Sequence, residues 1–290
     1  MNKTHSILYA AVITIFLFSA SRTQTLQSTF PDVNGTLESF ASVGTTIYIG
    51  GDFSYVAPYT GMGVALNTTT GNPINTFPQI NATSGLNGQI DVIVPDGSGG
   101  FYVGGNFDRI NGVAKSFLAR INSDGSVNAW NPTPSYRVRS ISLSADNSIV
   151  YIGGSFNQVN STSRNGLAAI QASDGALTSW NPGLTGGEVF AISVSTNGTI
   201  YVGGDFTTSN TIGGAARNRI AEISTSSGLA TSWNPNVSSS FSTVYSIAQS
   251  SGSVYIGGYF LQLNGATTRF CAAKIPKGSN TVNASWNPGA

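Results

Sequence analysis

One motif occurs five times in this chain: an aromatic residue, a β-branched residue, two glycines, any residue, then phenylalanine. It reads Tyr48-Ile49-Gly50-Gly51-Asp52-Phe53 first. It returns around Gly104, Gly105 and Phe107, then Gly153, Gly154 and Phe156, then Gly203, Gly204 and Phe206, and last Gly257, Gly258 and Phe260. The spacings are 54, 49, 50 and 54 residues. A fixed period of this length makes each copy one supersecondary unit, which buries its apolar face only against its neighbours. A second marker runs in phase with the first. Trp-Asn-Pro starts at Trp130, Trp180, Trp233 and Trp286, and Phe77-Pro78 and Phe30-Pro31 stand at the two earlier positions.

Residues 137–182 show what one unit contains. Val138, Ser140 and Ser142 alternate with Arg139, Ile141 and Leu143, a period of two that predicts a strand. Ser144 to Ser148 is turn chemistry, and Ile149-Val150-Tyr151-Ile152 is a second strand ended by Gly153-Gly154. Asn157 to Asn165 reads as a polar loop, and Leu167 to Ile170 as a third strand. Asp174-Gly175 makes a hairpin turn, and Leu177 to Trp180 a fourth strand stopped at Pro182.

Four short strands in such a period make a propeller blade. A solenoid needs a shorter period, and a row of β-sandwich domains needs about 100 residues each. The fold class is therefore all-β, a β-propeller of about five four-stranded blades. The repeats run roughly over 31–78, 79–132, 133–182, 183–235 and 236–288 within a domain of residues 22–290. The paired glycines let blades converge near the axis, and each tryptophan fills the wedge between neighbours.

Composition narrows the partners. Only 9% of residues are charged, 40% are hydrophobic, and the formal charge is +1. That balance gives no electrostatic footprint for nucleic acid or an anionic membrane. Residues 1–21 resemble a secretory signal peptide: Lys3, an apolar stretch from Ile7 to Phe18, then Ser19-Ala20-Ser21. An uncleaved anchor helix is the rival reading, although the stretch is short for a span. No later segment could span a membrane as a helix. These features predict a secreted or surface-exposed chain. Cys271 is the single cysteine and is expected to be a small buried apolar residue.

The compound pattern of residues 189–235 carries a family resemblance. Val189-Phe190-Ala191-Ile192, a turn, Ile200 to Phe206, a loop, Arg219 to Ile223, a turn, and Ser232-Trp233-Asn234-Pro235 resemble the delta-sixty repeat. Asn111-Gly112 and Asn264-Gly265 fit it too. That repeat builds β-propellers of secreted or surface proteins. It is similar, more distantly, to kelch repeats and to fungal cortical polarity-marker proteins. The resemblance covers residues 25 to 290 and implies a fold without a catalytic signature.

Closure of the ring has two readings. Residues 25–30 and 281–286 both look like outer strands, so six outer strands accompany five motifs. Either a five-bladed ring closes with one strand spare, or the chain is an incomplete part of a larger propeller. An open ring exposes a blade face and invites self-association or a missing blade.

Catalytic chemistry is sparse. The only histidine is His5, inside the signal segment, so histidine-based triads and zinc sites are absent from the mature chain. No cofactor or metal motif stands out. Carboxylates remain, and a glycosidase would need two of them about 5 to 10 Å apart. Asp52 and Asp205 share one repeat position, filled elsewhere by Asn106, Ser155 and Tyr259. That variation fits either a differentiated binding rim or a tolerant surface. A basic residue also recurs, at Lys115, Arg164, Arg217 and Arg269. It could form a cationic ring for an anionic ligand, or pair with loop carbonyls and carboxylates of its own fold. Beyond the signal segment, seven Asn-x-Ser/Thr sequons, at Asn34, Asn67, Asn81, Asn160, Asn197, Asn236 and Asn283, are close to what chance supplies.

Three functions stay open. The first is a non-catalytic binding, adhesion or scaffold module with a protein or glycan ligand. The second is a carbohydrate-binding or carbohydrate-active protein, in which Tyr59, Tyr136, Phe241 and Tyr259 stack on sugars. The third is a fragment of a larger surface protein.

Overall fold

A computed structural model describes residues 35–53, 62–74, 77–83, 88–238, 242–265 and 267–288. The signal segment, residues 22–34, Phe30-Pro31, Tyr59 and Phe241 lie outside the described residues. Among the described residues every regular element is a strand, and no helix is long and apolar enough to cross a membrane.

Five antiparallel sheets follow one another along the chain. Their first strands are Thr36–Val43, Gln89–Pro95, Val138–Leu143, Val189–Val194 and Thr243–Gln249. Each pairs with the strand carrying the glycine pair: Thr46–Asp52, Phe101–Asn106, Ile149–Gly154, Thr199–Gly204 or Ser253–Tyr259. The third strands are Gly63–Asn67, Leu118–Ile121, Leu167–Gln171, Ile220–Ser224 and Ala272–Pro276. Turn chemistry fixes these hairpins. In blade 3, Asp146 Oδ1 accepts from Ser144 Oγ at 2.6 Å, Ser148 Oγ at 2.8 Å and Ser148 N at 3.1 Å. Those donors pull the Asp146 carboxyl down to about 2.

Two features depart from the four-strand reading. The fourth strand is a ladder strand only in blade 1, at Pro73–Ile74. In blades 2, 3 and 4 it shrinks to single bridges at Val127, Leu177 and Ala230. The cause is local: Asn128 Oδ1, Thr178 Oγ1 and Thr231 Oγ1 each accept the N–H of the tryptophan two residues on. That turn lifts the chain out of the ladder. Conversely, the segment 157–165, expected as a loop, folds as a second hairpin of Gln158–Val159 with Thr162–Ser163. Its turn, Asn160-Ser161, has φ of 51° and 60°. Matching turns stand at Asn111-Gly112, Gly213-Gly214 and Asn264-Gly265, all with two positive φ angles, the signature of a primed hairpin turn.

Cys271 is exposed, which corrects the expectation that it is buried. It aligns with Phe117, Gly166 and Arg219, all left-handed with φ between 61° and 65°. At this position the N–H donates to the motif phenylalanine carbonyl, Phe107, Phe156, Phe206 or Phe260. The carbonyl in turn accepts from the second motif glycine. The junction thus turns the chain into the third strand, with Cys271 exposed there while Phe117 packs on the junction of its blade and Arg219 is buried. Only blade 3 uses glycine there. Cys271→Gly should raise stability by about 0.5–1 kcal/mol in equilibrium denaturation, by removing a left-handed side chain.

Packing runs in sequence order. The first strand of each blade packs on the first strand of the next, from blade 1 through blade 5. Among the described residues third strands show no comparable packing on one another, so the first strands converge and are the innermost. Among the described residues no comparable packing joins Thr36–Val43 to Thr243–Gln249. Four apolar clusters fill the four junctions, built from alternate faces of adjoining sheets. A fifth cluster, Ile49, Phe53, Val64 and Leu66, lies on the opposite face of blade 1.

Candidate functional site

The motif residues form the joints. A Cβ at the first glycine of the pair would meet the next blade's innermost strand. Gly50 faces Ile90 at 2.5 Å, Gly104 faces Val138 at 2.9 Å, Gly153 faces Val189 at 2.5 Å and Gly203 faces Val244 at 2.6 Å. The second glycine lies against its own blade instead. A Cβ at Gly51, Gly105, Gly154, Gly204 or Gly258 would overlap the carbonyl of Thr36, Gln89, Arg137, Glu188 or Thr243. Phe53, Phe107, Phe156, Phe206 and Phe260 are buried. Trp130, Trp180, Trp233 and Trp286 each lie edge-on to the motif tyrosine of their blade, with centroids 5.1–5.6 Å apart. Trp130 Nε1 donates to Gln171 O at 2.8 Å, and Trp180 Nε1 to Ser224 O at 2.9 Å, each in the following blade.

The four recurring cations sit on main-chain carbonyls of the outer segments. Lys115 Nζ donates to Trp130 O at 3.2 Å and Asn131 Oδ1 at 2.8 Å. Arg164 reaches Thr178 O at 2.8 Å, Arg217 reaches Thr231 O, and Arg269 reaches Asn283 O at 3.0 Å. Burial holds the Lys115 ammonium below its usual range and the Arg217 guanidinium below its own. Asp205 Oδ1 accepts Glu188 N at 2.6 Å, so this rim carboxylate braces its own innermost strand.

A different set of residues faces the axis. Each innermost strand slips register once: between Leu37 and Ser39, Ile90 and Val92, Val138 and Ser140, Val189 and Ala191, and Val244 and Ser246. Such a bulge re-aims one side chain out of the pleat. The bulged residues are Glu38, Asp91, Arg139, Phe190 and Tyr245, and contacts to one another or to flanking residues link all but Glu38 into a line. Arg137 Nε donates to Asp91 Oδ2 at 2.6 Å, and Arg139 Nε to Glu188 Oε2 at 2.9 Å. The Arg139 guanidinium lies 4.7 Å over the Phe190 ring, and Phe190 meets Tyr245 edge-on at 5.2 Å. Tyr245 is 54% exposed. Sequence reasoning missed this line because strict alternation assigns every residue to one face. The signal was there: apolar, variable, small, apolar recurs at Val138-Arg139-Ser140-Ile141, Val189-Phe190-Ala191-Ile192 and Val244-Tyr245-Ser246-Ile247.

Charge is graded along the line. Glu38 and Asp91 make blades 1 and 2 acidic, Arg137 and Arg139 make blade 3 basic, and Phe190 and Tyr245 give blades 4 and 5 aromatic faces. Partial desolvation raises the Glu38 carboxyl above its usual range, and repulsion from Asp91 adds to the shift. A raised carboxyl pKa means its stability contribution is full below the unfolded value and is lost as pH rises through the folded one. Glu38→Gln should therefore raise the melting temperature near pH 7 and leave it unchanged near pH 3.

A second recess lies at the junction of blades 2 and 3. It encloses about 460 Å³ lined by Asp96, Tyr102, Arg120, Asp146 and Asn147. Its charges are spent on each other. Arg120 donates to Asp96 Oδ2 at 2.9 and 2.7 Å and crosses to Ala172 O at 3.3 Å. Ser98 N and Gly100 N occupy Asp96 Oδ1. The recess is a joint more than a receptor. Of the aromatics considered for sugar stacking, Tyr136 leans on Phe117 at 5.7 Å, and Tyr259 is 57% exposed.

Known proteins share this architecture. The family described as a domain of unknown function (DUF5122) β-propeller matches residues 95–129. The chain is a β-propeller. Among solved structures it is similar to the extracellular domain assigned to a one component system of B. thetaiotaomicron, at 17% identity and a TM-score of 0.54. That likeness covers 87% of this chain and 28% of the other. A second structure, assigned to a hybrid two component system of that organism, matches at 16% identity and 0.53, over 89% of this chain and 28% of the other. The WD40 β-propeller domain of Doa1 matches at 12% identity and 0.53, over 85% of this chain and 65% of that one. The propeller thus spans less than two thirds of each of these chains. No curated protein matches it.

Proposed function

We propose that this propeller is a secreted or surface-exposed binding module of the delta-sixty repeat type, with its ligand held along the axial line. One observation carries the reading. Five equivalent bulges place carboxylate, guanidinium and aromatic side chains on one surface, although the repeat keeps everything around them alike. Packing needs no such differentiation, whereas recognition does. The extracellular origin of two of the similar structures supports an exported setting. The exposed Tyr245 ring beside Phe190, with Arg139 and Glu188 within reach, combines an apolar face with planar hydrogen-bonding groups. That chemistry suits a carbohydrate.

The test is a glycan array with the purified protein, followed by titration of the strongest glycan. Tyr245→Ala should weaken binding by tenfold or more, about 1.4 kcal/mol or above, and leave the unfolding transition in place. No binding to any glycan would remove the carbohydrate ligand. A hydrolytic variant of the reading pairs Glu38 with Asp91, the two carboxylates among the bulged residues. Turnover of the bound glycan that Glu38→Gln abolishes would establish it.

A further inference from the structure

Blades 2, 3 and 4 each present one face to the blade that follows, and the residues on that face correspond from blade to blade. Blade 2 offers Tyr102, Leu118 and Trp130; blade 3 offers Tyr151, Leu167 and Trp180; blade 4 offers Tyr201, Ile220 and Trp233. All nine are buried by the next blade's sheet. Blade 5 carries the same set on the same face as Tyr255, Ala272 and Trp286, and all three remain only half-buried. Trp286 still lies edge-on to Tyr255 at 5.6 Å, as its counterparts do to their tyrosines. Lys274 lies 5.6 Å from the Tyr255 ring, where Arg120 lies 5.4 Å from Tyr102 while donating to the next blade at Ala172 O. The face is assembled as a junction.

Two further positions mark blade 5. Tyr259 and Phe270 are 57% and 44% exposed. Their counterparts in blades 2, 3 and 4 are Asn106, Ser155 and Asp205, and Ser116, Asn165 and Asn218. Polar rim positions have thus become aromatic in the blade whose junction face is left half-covered among the described residues, and exposed aromatics of this kind mark interaction sites.

The geometry points to the outer face of blade 5 as the docking surface for one further blade of this repeat, in the relation that blade 5 bears to blade 4. The junctions define what that blade presents. A β-branched residue of its innermost strand sits over Gly257, as Val138, Val189 and Val244 sit over Gly104, Gly153 and Gly203. A carbonyl at the end of its third strand accepts from Trp286 Nε1, as Gln171 O and Ser224 O do for Trp130 and Trp180. Continuity with three existing junctions of the same composition selects this occupant over any other apolar partner.

Trp286 fluorescence tests it. The full chain is compared with the same chain extended after Pro288 by a copy of residues 236–288, in which phenylalanine replaces the copied tryptophan. Subtracting the Trp286→Phe version of each isolates Trp286. Docking predicts that acrylamide quenching of Trp286 falls severalfold in the extended chain, to the level of the three buried tryptophans. Its emission should also shift to the blue at every protein concentration. Unchanged quenching of Trp286 in a folded extended chain would overturn the inference. An appended blade that stays protease-sensitive would do the same, since a single blade cannot bury its face alone. Concentration-dependent protection in the unextended chain, with a doubled mass in sedimentation, would also overturn it and assign the face to a second copy.

Discussion

Gly154→Ala should lower the unfolding free energy by at least about 3 kcal/mol, read from the shift of the denaturation midpoint. The added Cβ would overlap the Arg137 carbonyl, and a backbone carbonyl held by the Ser155 N–H cannot step aside. Gly153→Ala, one residue earlier, should lose less, about 1–3 kcal/mol, because its obstacles are side chains. Val189 Cγ1 at 2.5 Å and Ser140 Oγ at 2.6 Å can shift or be trimmed. Combining Gly153→Ala with Val189→Ala should recover part of the loss, whereas the same partner change should do nothing for Gly154→Ala. An equal loss at both positions would contradict the division of labour between the two glycines.

Trp180→Ala should remove about 3–5 kcal/mol. Its indole is buried between blades 3 and 4, lies against Tyr151, and donates to Ser224 O at 2.9 Å. Trp286→Ala should remove less, about 1–2 kcal/mol, because its side chain is only partly buried and, among the described residues, no following strand accepts its N–H. Two tryptophans in one repeat position would then differ several-fold in cost, as calorimetry or urea titration can show. Similar losses at the two sites would mean that the blade 5 face is covered.

The sequence revealed the architecture because its markers are packing devices. Glycine pairs, motif phenylalanines and tryptophans recur wherever two sheets must close, so their period is the period of the fold. The fourth strand was read too generously, because Leu177 to Trp180 has strand composition. The Thr178 hydroxyl then takes the Trp180 N–H and ends the ladder after one bridge. The hairpin at 158–163 carries no mark in the sequence, because its Asn160-Ser161 turn lacks the glycine typical of such turns. Cys271 was placed in the core by a register one residue too far along, since left-handed junctions filled by phenylalanine, arginine and cysteine carry no common side-chain signal.

The axial residues were hidden for a related reason. A bulge adds one residue that belongs to neither face, so periodicity cannot see it. The recurring cations drew notice instead because they do recur. Recurrence at a repeat position reports a shared structural duty, and Arg164, Arg217 and Arg269 perform one on the carbonyls of Thr178, Thr231 and Asn283. The residues with individual duties are the ones that differ.

A bulged position is released from both junctions at once, since its side chain fills no cavity and its neighbours hold the ladder without it. Glutamate, aspartate, arginine, phenylalanine and tyrosine all occupy that position in this single chain, on one unaltered backbone. The axial surface therefore behaves as a row of letters on a fixed page, each read together with its neighbour, and a new specificity can be spelled there without redrafting the fold beneath it.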